Sequence, residues 1–354
     1  MAVTRAPLLL LLLSAHTAPA QDISSTPHNE GYDSTYVLDY THIVTGRVYL
    51  STKTNAFQLI DRDTRQQLLY RPNNRLNLGI GASYRAFTLN VGFGFGFLNR
   101  DRPVKGETDY IDAQLNYFAR RFATNVFFQA YQGYYVDGRS PAELNWASDY
   151  TTAFRADVFQ ANAGFSSLYI FNNERFSYRA AYNQDAWQRR SAGSFLAGAY
   201  LTYYTAQGDS SLMPAVLAPS FNAALDFSDA NFVDMGLMGG YAHTFVVRRH
   251  WFLNLSTAVG LGGSYYSTRP APVDGSGTRG RVNPGAHLQL RSATGYNSDR
   301  TCVAVSFNAE GILHSLGESN AFQWTVGNLR FNVAHRFNVR VRQVDRVLRG
   351  IRHL

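Results

Sequence analysis

The chain has 354 residues, of which 45% are hydrophobic and 14% aromatic but only 16% charged, with 29 Gly and a single Cys. A soluble domain carries about 25% charged residues, so this composition excludes a disordered chain, and the lone Cys302 excludes a disulfide scaffold. The formal charge of +8 falls to +7 once Arg5 leaves with the leader. That excess is modest, and no basic stripe interleaved with aromatics accompanies it, so no nucleic-acid partner is expected.

Residues 1–20 read as a signal peptide: Arg5 forms a short basic region, Leu8 to Leu13 the apolar core, and Ala18-Pro19-Ala20 the cleavage site. The apolar run is far shorter than the ~20 residues of a spanning helix. No later stretch approaches 18 uninterrupted apolar residues, which excludes a helical membrane bundle. Residues 21–43 are polar and irregular, and a periplasmic N-terminal segment is expected there.

From residue 44 onward the pattern changes to alternation. One or two strands are expected between 44 and 70. Leu76, Leu78, Ile80, Ala82 and Tyr84 then alternate with Asn77, Gly79, Gly81 and Ser83, and in 86–98 Phe87, Leu89, Val91, Phe93, Phe95 and Phe97 alternate with Thr88, Asn90, Gly92, Gly94 and Gly96. Side chains two apart share one face of a strand. One face is therefore bulky and apolar, and the other small or polar. The pattern recurs at 107–120, 122–136, 154–171, 175–187, 193–206, 231–247, 250–266, 284–297, 300–313 and 320–338.

These segments match the 9–11 residues with which a tilted strand crosses a bilayer. No backbone polar group can stay unpaired in lipid, so a spanning sheet must close on itself. The expected fold is all-β: a closed antiparallel transmembrane β-barrel of about 12 strands (12–14) over residues 44–338, in the outer membrane of a Gram-negative-type envelope. Long connections at 207–230 and 267–283 are expected outside the cell. Long and short connections alternate except once, between 137 and 207. In the tail, 339–354, Val344, Val347, Leu348 and Ile351 follow helix spacing among arginines, as in a basic segment resting on a membrane surface.

The run Tyr70-Arg71-Pro72-Asn73, the stretch Leu78-Gly79-Ile80-Gly81-Ala82-Ser83-Tyr84, the glycine-aromatic segment from Gly92 to Leu98, and Phe176-Ser177-Tyr178-Arg179-Ala180-Ala181 followed by Gln184 and Ser191-Ala192-Gly193-Ser194 carry a family likeness. They resemble a Bacteroidota outer-membrane family called domain of unknown function 4421. The resemblance spans roughly residue 40 to the end and implies no particular activity.

Few motifs carry chemistry. Gly92, Gly94 and Gly96 lie inside a strand, not between a strand and a helix, so they do not form a phosphate loop. His243, His287, His314 and His335 match no metal-ligand spacing. No catalytic residue, cofactor or metal is therefore assigned. Gln184 to Ser194 reads as a turn anchored by an interfacial Trp187, with Arg189 and Arg190 meeting lipid phosphates; the alternative is a binding motif. The parity opposite the apolar one carries Asp112, Asp234 and Glu310 against Arg179, Arg291, Arg330 and Arg336. An arginine at the lipid midplane costs ~2–4 kcal/mol, so these seven are expected to line the lumen. The lipid bilayer is the expected partner, with small solutes beside it. The expected function is a narrow channel or a membrane scaffold; the alternative is a lipid-modifying enzyme built on a barrel.

Overall fold

Alternation of apolar and polar side chains over nine residues or more produces a strand with one greasy and one polar face, and such strands bury their backbone only by pairing with one another. In the computed structural model each of these strands pairs with at least one neighbour. The structure describes residues 31–341 and 345, apart from 74–75, 86, 95–101, 148–149, 271–278 and 318. The signal peptide, Phe95 and Phe97, and nearly all of the basic tail lie outside the described residues.

In chain order the elements are β1 (Val37–Asp39), β2 (Val44–Asp61), β3 (Gln66–Arg71), β4 (Leu76–Tyr84), β5 (Phe87–Gly94), α1 (Arg102–Lys105), β6 (Asp109–Phe118), β7 (Phe122–Val136) and β8 (Phe154–Ile170). There follow α2 (Tyr178–Tyr182), β9 (Ala186–Gln188), β10 (Ala192–Gln207), β11 (Phe227–Val247), β12 (Trp251–Pro270), β13 (Arg279–Asn297), β14 (Thr301–Ser315) and β15 (Asn320–Phe337). No helix among the described residues is long and apolar enough to cross a membrane. The strands do the crossing.

Antiparallel ladders run from β7 through β8, β10, β11, β12, β13, β14 and β15, and β15 pairs back onto β2 from Asn320↔Asp61 to Phe337↔Val44. The ring closes through β3, which pairs with both β2 and β7, and so contains ten strands. β4 and β5 continue from the other half of β2, and β6 hangs on β7. β3 and β4 pair with successive lengths of β2, so they are halves of one strand. It breaks at Pro72, which has no N–H to give a ladder. Beyond the break, Asn73 is held by Thr108 Oγ1 at 2.8 Å and donates to the Gly106 carbonyl at 2.7 Å. Counted this way the sheet has twelve strand positions, ten of which form the closed ring, with β5 and β6 extra to it.

The parity is inverted relative to a soluble protein. Leu237 is 75% exposed, Leu261 70% and Phe195 71%, while Asn254, Asp234 and Gln129 are fully buried inside the ring. The β11–β12 ladder keeps one register from Asp229↔Arg269 to Val247↔Trp251, so a single lipid-facing stripe extends across both strands.

Two expectations need correction. Segment 175–187 does not span: α2 and β9 fold inward, and β9 pairs with β1 instead of with the barrel wall. Its apolar residues Phe176, Tyr178, Ala180, Ala186 and Trp187 are buried inside the molecule rather than against lipid, which is why they mimic a spanning strand in the sequence. This inward fold accounts for the break in alternation of long and short connections between 137 and 207. The expected loops 207–230 and 267–283 are also shorter, because β11 begins at Phe227, β12 runs to Pro270 and β13 begins at Arg279. Strand length beyond the hydrocarbon layer needs no lipid-facing stripe, so alternation does not reveal it.

The inverted parity predicts that Leu237→Arg, at the middle of β11, destabilises the barrel by ~2–4 kcal/mol while Leu237→Phe is tolerated. Heat-modifiable gel migration distinguishes the two; equal behaviour would show that this stripe does not face lipid.

Candidate functional site

The lumen is divided into three layers, each dictated by the side chains its wall provides. At the end holding the turns at Arg85, 119–121, 248–250 and 298–300, the inward fold acts as a plug. β1 and β9 form a two-stranded ribbon there, and α2 packs against the wall with Tyr178 bonded to Ser256 (2.6 Å) and Tyr182 donating to Asn254 (2.9 Å). A segment this short cannot satisfy its own carbonyls. The barrel does so instead. Arg336, on β15, donates from Nη2 to the carbonyls of Gln184 and Ala186 at 2.7 and 2.8 Å and to Asn297 Oδ1 at 2.8 Å, with its guanidinium 4.5 Å from the Tyr40 ring. Arg47 donates to the Asn183 carbonyl at 2.6 Å, and Asn297 to those of Ala180 and Ala186.

Within the plug, Arg179 donates to both oxygens of Asp185, at 3.1 and 2.7 Å. Burial works against the Arg179 charge, but Asp185 holds the guanidinium above its ordinary range. Burial also raises the neighbouring Asp39 carboxyl, partly offset by Arg179, and pushes the Tyr32 phenol up to about 12 against a hydrogen bond with Ser177. Trp187 is not an interfacial anchor: it is buried, donates to the Arg249 carbonyl at 2.8 Å and stacks on His250.

At the far end the lumen is filled with aromatics. Phe57, Tyr70, Tyr134, Tyr204, Phe232, Phe322 and Trp324 are all under 2% exposed, with Phe57 stacked on Tyr70 at 4.9 Å and Phe232 on Phe322 at 4.8 Å. Leu212, Met213 and Leu225 from the β10–β11 connection complete the cluster, and Tyr70 donates to the Leu212 carbonyl at 2.6 Å.

Between plug and aromatic layer lies a polar chamber of about 580 Å³. Four cations, Arg47, Lys53, Arg291 and Arg330, face it against two carboxylates, Asp112 and Glu310, a formal excess of two positive charges. Lys53 sits 2.8 Å from Asp112, whose other oxygen accepts from Gln129 (2.9 Å) and Tyr131 (2.8 Å). Glu310 accepts from Asn125 (2.9 Å) and Gln289 (2.6 Å), with Arg291 3.8 Å away. Arg330 lies over the Tyr49 ring at 4.4 Å, and no carboxylate is within ion-pair reach of it or of Arg47 among the described residues. Arg291 is 5% exposed and its Nη1 has no hydrogen-bond partner.

Of the seven charged residues expected along the lumen, the chamber thus brings together Asp112, Glu310, Arg291 and Arg330. Arg336 belongs to the plug contact. Arg179 is on α2, not on the wall, because the segment that carries it is not a strand. Asp234 lies in the aromatic layer, where His314 Nδ1 is 2.9 Å from it and 3.1 Å from Ser264 Oγ. The composition is that of a hydrolytic triad, but serine and aspartate share one ring nitrogen instead of flanking the imidazole, and all three side chains are fully buried. Arg47 and Lys53 escaped sequence reasoning because alternation in 44–70 was too weak to set their parity. The aromatic layer escaped it because apolar residues on both faces obscure a two-residue period.

Arg336→Ala should release the plug without opening the ring, since it leaves buried carbonyls unpaired at a cost of about 3 kcal/mol. Hydrogen exchange at residues 180–188 should accelerate while the β14–β15 ladder stays protected; unchanged exchange would show that the plug does not depend on Arg336.

Several solved barrels align with the chain over most of its length, each at low identity and low structural score. The outer-membrane protease OmpT from Escherichia coli is 8% identical, with a TM-score of 0.37, covering 84% of this chain and 98% of its own. The Pseudomonas putida toluene transporter TodX is 9% identical (TM-score 0.24, 83% and 90% covered), and the outer-membrane protein OprG from Pseudomonas aeruginosa 11% identical (TM-score 0.22, 85% and 100% covered). No curated protein matches the sequence. A family model does match, over residues 31–337, and so places this barrel, its plug included, in the family described as Domain of unknown function (DUF4421).

Proposed function

We propose that this protein is an outer-membrane barrel that binds an anionic group in its central chamber and does not conduct at rest. Its plugged end, with both ends of the barrel sheet and the tight turns, lies in the periplasm, and the longer connections lie outside the cell. The observation that carries the reading is the buried Arg291 Nη1, unpartnered in a chamber where cations exceed carboxylates by two. A buried donor on a charged group costs free energy unless something accepts from it, and an oxyanion does so with the strongest geometry for guanidinium. The layers above and below favour a binding barrel or scaffold over a narrow channel: a plug held by Arg336 and a wall-to-wall aromatic layer leave no polar path through both ends among the described residues.

Two measurements on the reconstituted full-length protein test this. Planar bilayers should show no steady conductance, and inorganic phosphate should bind with an affinity that falls about tenfold in Arg330→Gln or Arg291→Gln, the size of one lost charge-assisted bond. Steady ohmic current from the unmodified protein would establish a channel, and phosphate binding indifferent to both substitutions would remove the chamber from the reading.

A further inference from the structure

We propose that the chamber is loaded sideways from the bilayer, and that its occupant is an anionic lipid. Its phosphate and hydroxyl-bearing head enters between β5 and β6 while its acyl chains stay outside. The inference rests on the anion-binding reading above and adds the source of the anion and its route.

The wall of the barrel is not hydrogen-bonded all the way round at this point. β5 pairs with β4 over its whole described length, from Phe87 to Gly94, and β6 pairs with β7 from Asp109 to Phe118. Residues 87–94 and 111–118 form no ladder with each other, so each presents one edge of backbone N–H and C=O groups to the seam. In hydrocarbon every such group left unpaired costs several kcal/mol. A seam at membrane depth therefore persists only where water or a polar group fills it.

The chamber borders this seam. Its boundary includes Leu89, Ala113 and Leu115, which lie on the lipid-facing parity of β5 and β6, together with Asn90, Gln114 and Asn116 on the lumenal parity of the same strands. Leu89 is 71% exposed on the outer surface. Leu89, Ala113 and Leu115 thus bring both strands that flank the seam to the chamber wall while their side chains face the lipid side. Asn116 is exposed although its parity faces inward, as an opening beside it requires.

The chemistry along this route changes from apolar to amide to cationic, which is the order of groups along an anionic lipid. Chains would lie against the exposed Leu89 and Leu115 and the adjacent exposed Val126 and Phe128 of β7. Inside, Lys53, Arg291 and Arg330 face the phosphate. The orientation of Asn125 is set by its donation to Glu310, which leaves its Oδ1 buried and without a partner, and Asn328 Oδ1 is in the same condition. Two unpaired acceptors beside a cationic cluster call for hydroxyl donors on the same ligand. A phosphoglycerol head provides both; a quaternary ammonium head provides neither hydroxyl nor net negative charge.

The test is retention of lipid by the folded full-length protein, read by native mass spectrometry after titration with phosphatidylglycerol or phosphatidylcholine. Ala113→Trp and Leu115→Trp fill the outer lip of the seam from the lipid side, where a large aromatic is compatible with assembly, and heat-modifiable migration checks their folding. Phosphatidylglycerol should be retained in preference to phosphatidylcholine, and glycerol phosphate should compete for its place. The tryptophan variants should lower its retention about tenfold and leave the affinity for inorganic phosphate unchanged. Equal retention of the two lipids, or retention indifferent to both tryptophans, would overturn lateral loading. Phosphate binding without lipid retention would show that the chamber fills from water, overturning this inference alone; binding of neither would overturn the anion reading with it.

Discussion

Every feature of this molecule depends on the pairing of backbone polar groups where no water is available to pair them. In hydrocarbon the sheet must close, and closing a ring of ten strands creates an interior too wide for opposing side chains to fill uniformly. The chain solves the interior in layers. Aromatic side chains fill one end, a folded-in segment fills the other, and what remains between them is polar because the small and polar faces of the strands converge there. The chamber is thus a consequence of closure before it is a site.

The plug shows the same constraint at a smaller scale. A five-residue helix and a three-residue ribbon cannot satisfy their own backbone, so Arg336, Arg47 and Asn297 on the barrel wall reach out to their carbonyls. Such buried cations are costly to desolvate, and their value lies in geometry: the planar fork of Arg336 meets three carbonyls, those of Gln184, Ala186 and Ser298, and the Asn297 amide oxygen at once. Arg291 and Arg330 have fewer protein acceptors. That difference separates a structural arginine from one available to a ligand, and it is visible only when the partners are in place.

The sequence makes the barrel legible to different degrees. Strands with strict alternation, such as β5 and β12, can be read directly, because lipid on one side and lumen on the other enforce a two-residue period. Alternation also marks Asp112, Glu310, Arg291 and Arg330 as inward. It misreads Arg179, since Phe176, Tyr178 and Ala180 alternate with polar neighbours for a different reason, burial in a plug. The broken sequence of long and short connections between 137 and 207 is the trace that the plug leaves in the chain. No local pattern reports the seam between β5 and β6, because both strands carry the same stripe as their paired neighbours and the missing ladder is a property of their separation.

The claim that most depends on the structure as a whole is that the chamber is shut off from bulk water at both ends. Ser306 borders the chamber and is 5% exposed, which makes Ser306→Cys, in a chain whose native thiol is removed by Cys302→Ser, a direct reporter. In reconstituted protein a water-soluble thiol reagent should label this position far more slowly than a cysteine in an outer loop, and adding Arg336→Ala should speed labelling from the plugged side. Labelling as fast as in the loop, with Arg336 intact, would contradict closure at the two ends.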